Sequence, residues 1–197
     1  MAGNNFWYEN WNGGPGPKIT SDREIEIWEQ RFEMLTRSLS TSPWREKCRL
    51  SLAQYFKAFS QPNLEDSFLE GWRLFEEISG SRGEKINDKV KRAANIYKKS
   101  TQQRIVGKHL KVRRNSLTHG HKIEASDEEM LAFQMLHFLA PLLEHYILNG
   151  FRFSKQDELW EFLDLPEGRS ERQAMENDLN NKLKLIRKAA IFRQDKT

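Results

Sequence analysis

The chain has 197 residues, 38% of them hydrophobic and 30% charged, with a net charge of +4. That length holds one domain with a real core and leaves two cramped, and the composition excludes a disordered chain. No apolar run approaches the roughly 20 residues of a membrane span, no basic-then-apolar leader opens the sequence, and the single Cys48 excludes an internal disulfide, so a reducing cytoplasm and no membrane partner are expected.

Residues 1–20 read as a flexible arm. Phe6, Trp7, Tyr8 and Trp11 precede Gly13-Gly14-Pro15-Gly16-Pro17, which blocks regular structure. Ser21 with Glu24 makes a capping box, and Ile25, Trp28, Phe32 and Leu35 follow at helical spacing. A second helix is predicted from Ser42, with Pro43 in its first turn and Leu50, Leu52, Ala53, Phe56 and Phe59 inward. Asn63 caps a third, with Leu64, Phe68, Trp72, Phe75 and Ile78 on one face, ended by Ser79–Gly83. A basic fourth helix spans 84–99, and a fifth runs from Ser100 or Thr101 to Thr118, stopped by Gly120.

Ser126 and Glu129 form a second capping box, opening the most apolar helix, 127–149, which Pro141 should bend. Its apolar residues cover more than one face, as suits a central or interfacial helix. Ser154 caps a short helix through Leu163, and 170–192 forms a last, largely polar one striped by Leu179, Leu183, Ile186 and Ala190. Trp28, Trp44, Trp72 and Trp160 fall on apolar faces and are expected in the core. The fold class is all-α: an antiparallel bundle over 21–165, with 166–197 as a C-terminal helix.

Charge is unevenly spread. Residues 81–122 carry 13 basic and 2 acidic side chains, while the segments on either side are net acidic. Such a cluster attracts polyanions, nucleic acid above all, although a solvated helix surface has the same composition. The cluster ends in Arg113-Arg114-Asn115-Ser116-Leu117-Thr118-His119-Gly120-His121-Lys122. Cleavage of RNA by its own 2′-hydroxyl needs a proton acceptor, a proton donor and positive charge at the phosphoryl oxygens. Imidazole titrates near pH 6.5 and serves the first two, while a guanidinium serves the third. Asn115 and His119 are one helical turn apart, but Arg114 is rotated well over a right angle from His119. Two copies meeting here would pool two arginines and two histidines.

An arginine four to six residues before a histidine is a weak signal, since Arg104 with His109 fits it too. Asn directly after the arginine and Gly directly after the histidine sharpen it. Arg113 competes with Arg114 for the catalytic place. His137 and His145, with Glu144 nearby, lack a metal-ligand pattern and read as core or interface histidines. No metal and no cofactor is expected.

The segment Arg114–His119 followed by Gly120 resembles the motif of the HEPN superfamily, in particular its Apea-like branch. The stretches 52–59 and 64–76, with Trp72 and Glu76, resemble that family's paired helices, and the likeness extends over about 44–149. It implies a helical bundle that dimerises at the motif and cleaves RNA without a metal, leaving a cyclic phosphate, commonly as a toxin or anti-phage effector. It makes Arg114 and His119 the catalytic pair, with Asn115 in support and Glu76 orienting the arginine. Arg113 and His121 are supporting candidates, and Lys108, Lys111 and Lys122 are candidate RNA contacts. A regulator or antitoxin would be a separate protein. The alternatives are a non-catalytic RNA-binding module of the same family and a helical adaptor for an acidic partner.

Overall fold

The computed structural model describes residues 21–120 and 125–193. The aromatic arm, His121 and Lys122 lie outside the described residues. Among the described residues the chain is all-α, with eight helices and no strand. They are α1 (Asp22–Thr41), α2 (Arg45–Phe59), α3 (Leu64–Ile78), α4 (Ile86–Ala94), α5 (Ser100–Thr118), α6 (Ala125–Leu148), α7 (Gln156–Asp164) and α8 (Arg169–Phe192). The chain divides after Leu163 into two compact units, the second built on α8.

The first unit is organised around α3 and α6, its most extensive helix pair. Trp72, Phe75 and Phe138 stack through it with ring centroids 5.0 and 5.6 Å apart. Asn63 Oδ1 caps α3 by accepting the amides of Glu65 at 2.9 Å and Asp66 at 3.2 Å, which satisfies two of the unpaired donors at a helix start.

Two close approaches fix where α5 and α3 lie. At Gly107 an added Cβ would sit 2.6 Å from Val90 Cγ1 and 2.8 Å from Phe138 Cζ. Glycine is what lets α5 press against α4 and α6 at this level. At Gly71 the same substitution would meet Phe59 Cζ at 2.9 Å and Met135 Cγ at 3.0 Å, so α3 is equally tight against α2 and α6.

The hydrogen-bond pattern of α6 runs through Pro141 as one helix. Proline has no N–H, so it offers nothing to the carbonyl four residues earlier, that of His137. Tyr97, in the turn after α4, donates its hydroxyl to that oxygen at 2.7 Å. Burial raises the Tyr97 phenol to about 12, so it stays a donor.

Several expectations need correction. Trp28 is 62% exposed and no residue of α1 is buried. Only Leu35 and Leu39, in its second half, pack on the core. The inward face of α2 is formed by Cys48, Ser51 and Ala58, with Leu52, Tyr55 and Phe59 packed beside them, while Leu50 and Phe56 face out. The chain turns over 42–44 before α2 begins, and Ser42 Oγ accepts the Trp44 amide at 3.3 Å. The fourth helix is short: it begins at Ile86 and ends at Ala94. Helix α6 begins before the expected capping box, at Ala125. Its stretch Asp127–Leu148 is long and apolar enough, by length and composition, to cross a membrane. Half of its most apolar window is buried, with Leu131, Met135, Phe138, Leu139, Leu142 and Tyr146 in the core, while Met130 and Phe133 are exposed.

Tyr97→Phe strips the His137 carbonyl of its shortest side-chain donor while keeping the ring. It is expected to destabilise the protein by about 1–2 kcal/mol. Urea unfolding checks this, with an unchanged slope showing that the native state keeps its compactness.

Candidate functional site

Two helices supply the site. In α3, Trp72 and Glu76 are four residues apart and so lie on one side of the helix. Trp72 is fully buried, and its indole N–H donates to Glu76 Oε1. From α5, Arg114 Nη2 donates to the same oxygen at 2.9 Å, and Arg114 Nη1 donates to Asn115 Oδ1 at 3.1 Å. Glu76 and Arg114 are each about two-thirds shielded from solvent, where an ion pair is less screened than one on the open surface.

The backbone of Glu76 is engaged as well. Its carbonyl accepts from Lys89 Nζ of α4 at 2.5 Å. Lys89 is buried, and desolvation lowers its pKa while Glu76 and Glu84 oppose that shift. One residue of α3 thus receives donors from α3, α4 and α5.

His119 is the C-cap of α5. Its backbone N–H reaches the carbonyls of Asn115 at 3.1 Å and Ser116 at 3.2 Å. Its imidazole is exposed and makes no hydrogen bond to another described residue. Gly120 follows at φ +80°, a left-handed conformation that suits glycine and ends the helix. Because α5 is continuous to Thr118, Arg114 and His119 leave it about 140° apart around its axis. Arg114 turns inward to Glu76, whereas His119 shares the outer side with Lys108, Val112 and Asn115. Arg114 and Asn115 are therefore brought together, and Arg114 and His119 are not brought together within one copy.

The remaining candidates separate. Arg113 pairs with Asp127 of α6 at 3.4 Å. Lys111 donates to Asn87 Oδ1 at 2.9 Å, and Lys108 is exposed. His137 and His145 are exposed rather than buried in the core; the His137 ring stands edge-on to Phe133 at 4.2 Å, and Glu144 is held by Arg31 at 2.9 Å. Trp72 was expected in the core and, by the resemblance, as a marker position with Glu76, but not as a hydrogen-bond donor to the site. The spacing Trp-x-x-x-Glu was visible, but not that the indole would serve the carboxylate.

Beside Glu76 opens a cleft of about 570 Å³, lined by Glu76, Glu77, Lys89, Tyr146, Gln156 and Trp160 among others. Glu84, which also lines it, accepts from the buried Arg92 at 2.8 Å; Arg92 donates to the Ser79 carbonyl as well, with its guanidinium 5.9 Å from the Trp160 ring centre. Trp160 in turn donates to the Ile78 carbonyl at 3.0 Å. Partial burial works against the ionised Glu84, but hydrogen bonds from Ser81 and Arg92 outweigh it and hold the carboxyl down at about 2.

Comparison of the chain with protein families, with curated proteins and with solved structures gives no match.

Glu84 ionises more readily when folded than at its ordinary 4.5. Its stabilising contribution is therefore complete above about pH 4.5 and is lost as pH falls from there towards about 2. Thermal unfolding measured across that range should show Glu84→Gln with a lower Tm at neutral pH and a shallower acid decline than the parent. Parallel curves would contradict this assignment.

Proposed function

We propose that this protein is a metal-independent endoribonuclease with a HEPN-like bundle, acting in the cytoplasm as a homodimer whose site draws on both copies. The observation that carries the reading is the chain Glu76–Arg114–Asn115 at the end of the most basic stretch, with His119 exposed one turn beyond Asn115. A guanidinium has five N–H donors, and Glu76 and Asn115 engage two of those on Arg114. The arginine is thus oriented and still has donors for a phosphate.

In the proposed reaction the 2′-oxygen attacks the adjacent phosphorus as one imidazole takes its proton. The P–O5′ bond breaks as a second imidazole, from the other copy's His119, protonates the leaving oxygen. Arg114 stabilises the charge on the phosphoryl oxygens. The products are a 2′,3′-cyclic phosphate and a 5′-hydroxyl, and no metal or cofactor enters. Lys108 and Lys111, with Lys122 beyond the described residues, would follow the RNA backbone. A toxin or anti-phage role, with a separate inhibitor, fits such an activity.

A second reading is a non-catalytic RNA-binding module. It is favoured by the pairing of Arg114 with Glu76, which offsets the charge a phosphate would meet.

Purified protein is expected to cut total RNA in excess chelator and to leave cyclic-phosphate ends. His119→Ala should cost roughly 10²–10⁴-fold in rate with RNA binding largely kept. Arg114→Ala should cost roughly 10²–10³-fold. Intact RNA with the parent protein, chelator present or absent, would overturn the nuclease reading; salt-sensitive RNA binding in its place would support the second.

A further inference from the structure

We infer that α8 is a self-pairing surface that binds α8 of a second copy in antiparallel orientation. No residue of α8 is buried. Met175, Leu179, Leu183 and Ile186 are between 43% and 65% exposed, and Ala190 continues their line. The steps of four, four, three and four residues keep all five on one side of a 24-residue helix. This is the narrow seam that two helices use to pack together. An exposed apolar seam of this length marks an interaction surface.

Charge identifies the occupant. The first half of α8, residues 169–180, carries three acidic side chains and two basic, and 182–193 carry five basic and none acidic. Of the two basic residues in the first half, Arg169 opens the helix and Arg172 is turned back onto the carbonyls of Pro166 at 2.8 Å and Glu167 at 2.7 Å. Asp178 and Lys182 pair within the helix at 2.7 Å, near its middle. The first half therefore nets −1, with Glu171 and Glu176 in it, and the second nets +5, with Lys184, Arg187, Lys188 and Arg193 in it. The arrangement suits the helix's own dipole. It also favours a reversed partner: a parallel copy sets the +5 half against another +5 half, while an antiparallel copy sets each +5 half beside a half of net −1. A reversed pair is also the two-fold arrangement by which like chains form a closed dimer.

Met175 and Ala190 are equidistant from the middle of the seam and about 22 Å apart along it. The full chain is prepared separately as Met175→Cys and as Ala190→Cys; Cys48 is buried and does not compete. A short bifunctional thiol reagent should link the two variants when they are mixed and link neither to itself. Adding Leu183→Glu to both, with helicity by circular dichroism unchanged, should remove the mixed product. Self-linked Met175→Cys would show parallel pairing and overturn the proposal. Absence of any linked dimer would also overturn it, leaving α8 to fold back on its own chain or to bind a different protein. The readout is a covalent mass and does not depend on RNA cleavage, so this proposal and the nuclease reading fail separately.

Discussion

A carboxylate withdrawn from water needs hydrogen-bond donors, and Glu76 takes its donors from two helices. The Trp72 indole sits one turn before it on α3, and the Arg114 guanidinium comes from α5. The Glu76 carbonyl adds Lys89 of α4. The arrangement is directional as well as cohesive. An indole has one N–H and a fixed plane, so the buried Trp72 ring leaves the carboxylate little choice of rotamer, and the carboxylate then aims the guanidinium. Such a pair adds little to stability against a well-packed apolar alternative, but losing one partner strands the other charge in a partly dehydrated groove.

The position of α5 is set by packing that has nothing to do with the charged groups. Gly107 admits Val90 and Phe138 to within contact of its backbone, so α5 lies close against α4 and α6. Phe138 belongs to the same aromatic stack as Trp72 and Phe75. The ring that receives Gly107 is thus separated only by Phe75 from the ring that holds Glu76. Repacking at either point would move the carboxylate and the guanidinium relative to each other. Tyr97 belongs to the same arrangement: it supplies the donor that Pro141 lacks and lets α6 pass through the core without an orphaned carbonyl.

What was legible in the sequence follows from how local the cause was. The start of α1 was set by Ser21, the start of α3 by Asn63 and the end of α5 by Gly120, each through bonds within a few residues. The early end of α4 was hidden because its causes are distant. Residues 84–99 contain no Gly or Pro, yet the Asn95 amide donates to the Leu163 carbonyl at 2.7 Å and Tyr97 is drawn to α6. Trp28 misled for a related reason. Apolar periodicity reports that one side of a helix is apolar, not that another element reaches that level, and the core extends only as far as Leu35 and Leu39. In α2 the inward side carries Cys48, Ser51 and Ala58, small residues that a count of large hydrophobic side chains passes over. Within the candidate site, the adjacency of Arg114 and Asn115 was readable from spacing. The resemblance gave Glu76 the orienting of Arg114, but nothing in the spacing showed that Arg113 would find Asp127, because that contact is made across the bundle.

The angular offset along α5 has a chemical consequence. In the proposed reaction, a phosphate bound at the inner side, against Arg114, would be held on the opposite flank of the helix from His119 of the same chain. A phosphate approached by His119 on the outer side would meet Lys108 and Asn115 rather than Arg114. Lengthening the helix by a turn would not bring the two together, since the angle is fixed by a spacing of five residues. Convergence requires either that α5 unwind before Thr118 or that a second molecule supply one of the two groups. Unwinding would forfeit the bonds from the His119 amide to Asn115 and Ser116 that close the helix end, and with them the placement of Asn115 beside Arg114. Supplying the second group from another copy leaves both intact, and an exposed imidazole at a helix tip followed by a glycine is well placed to reach across such a junction.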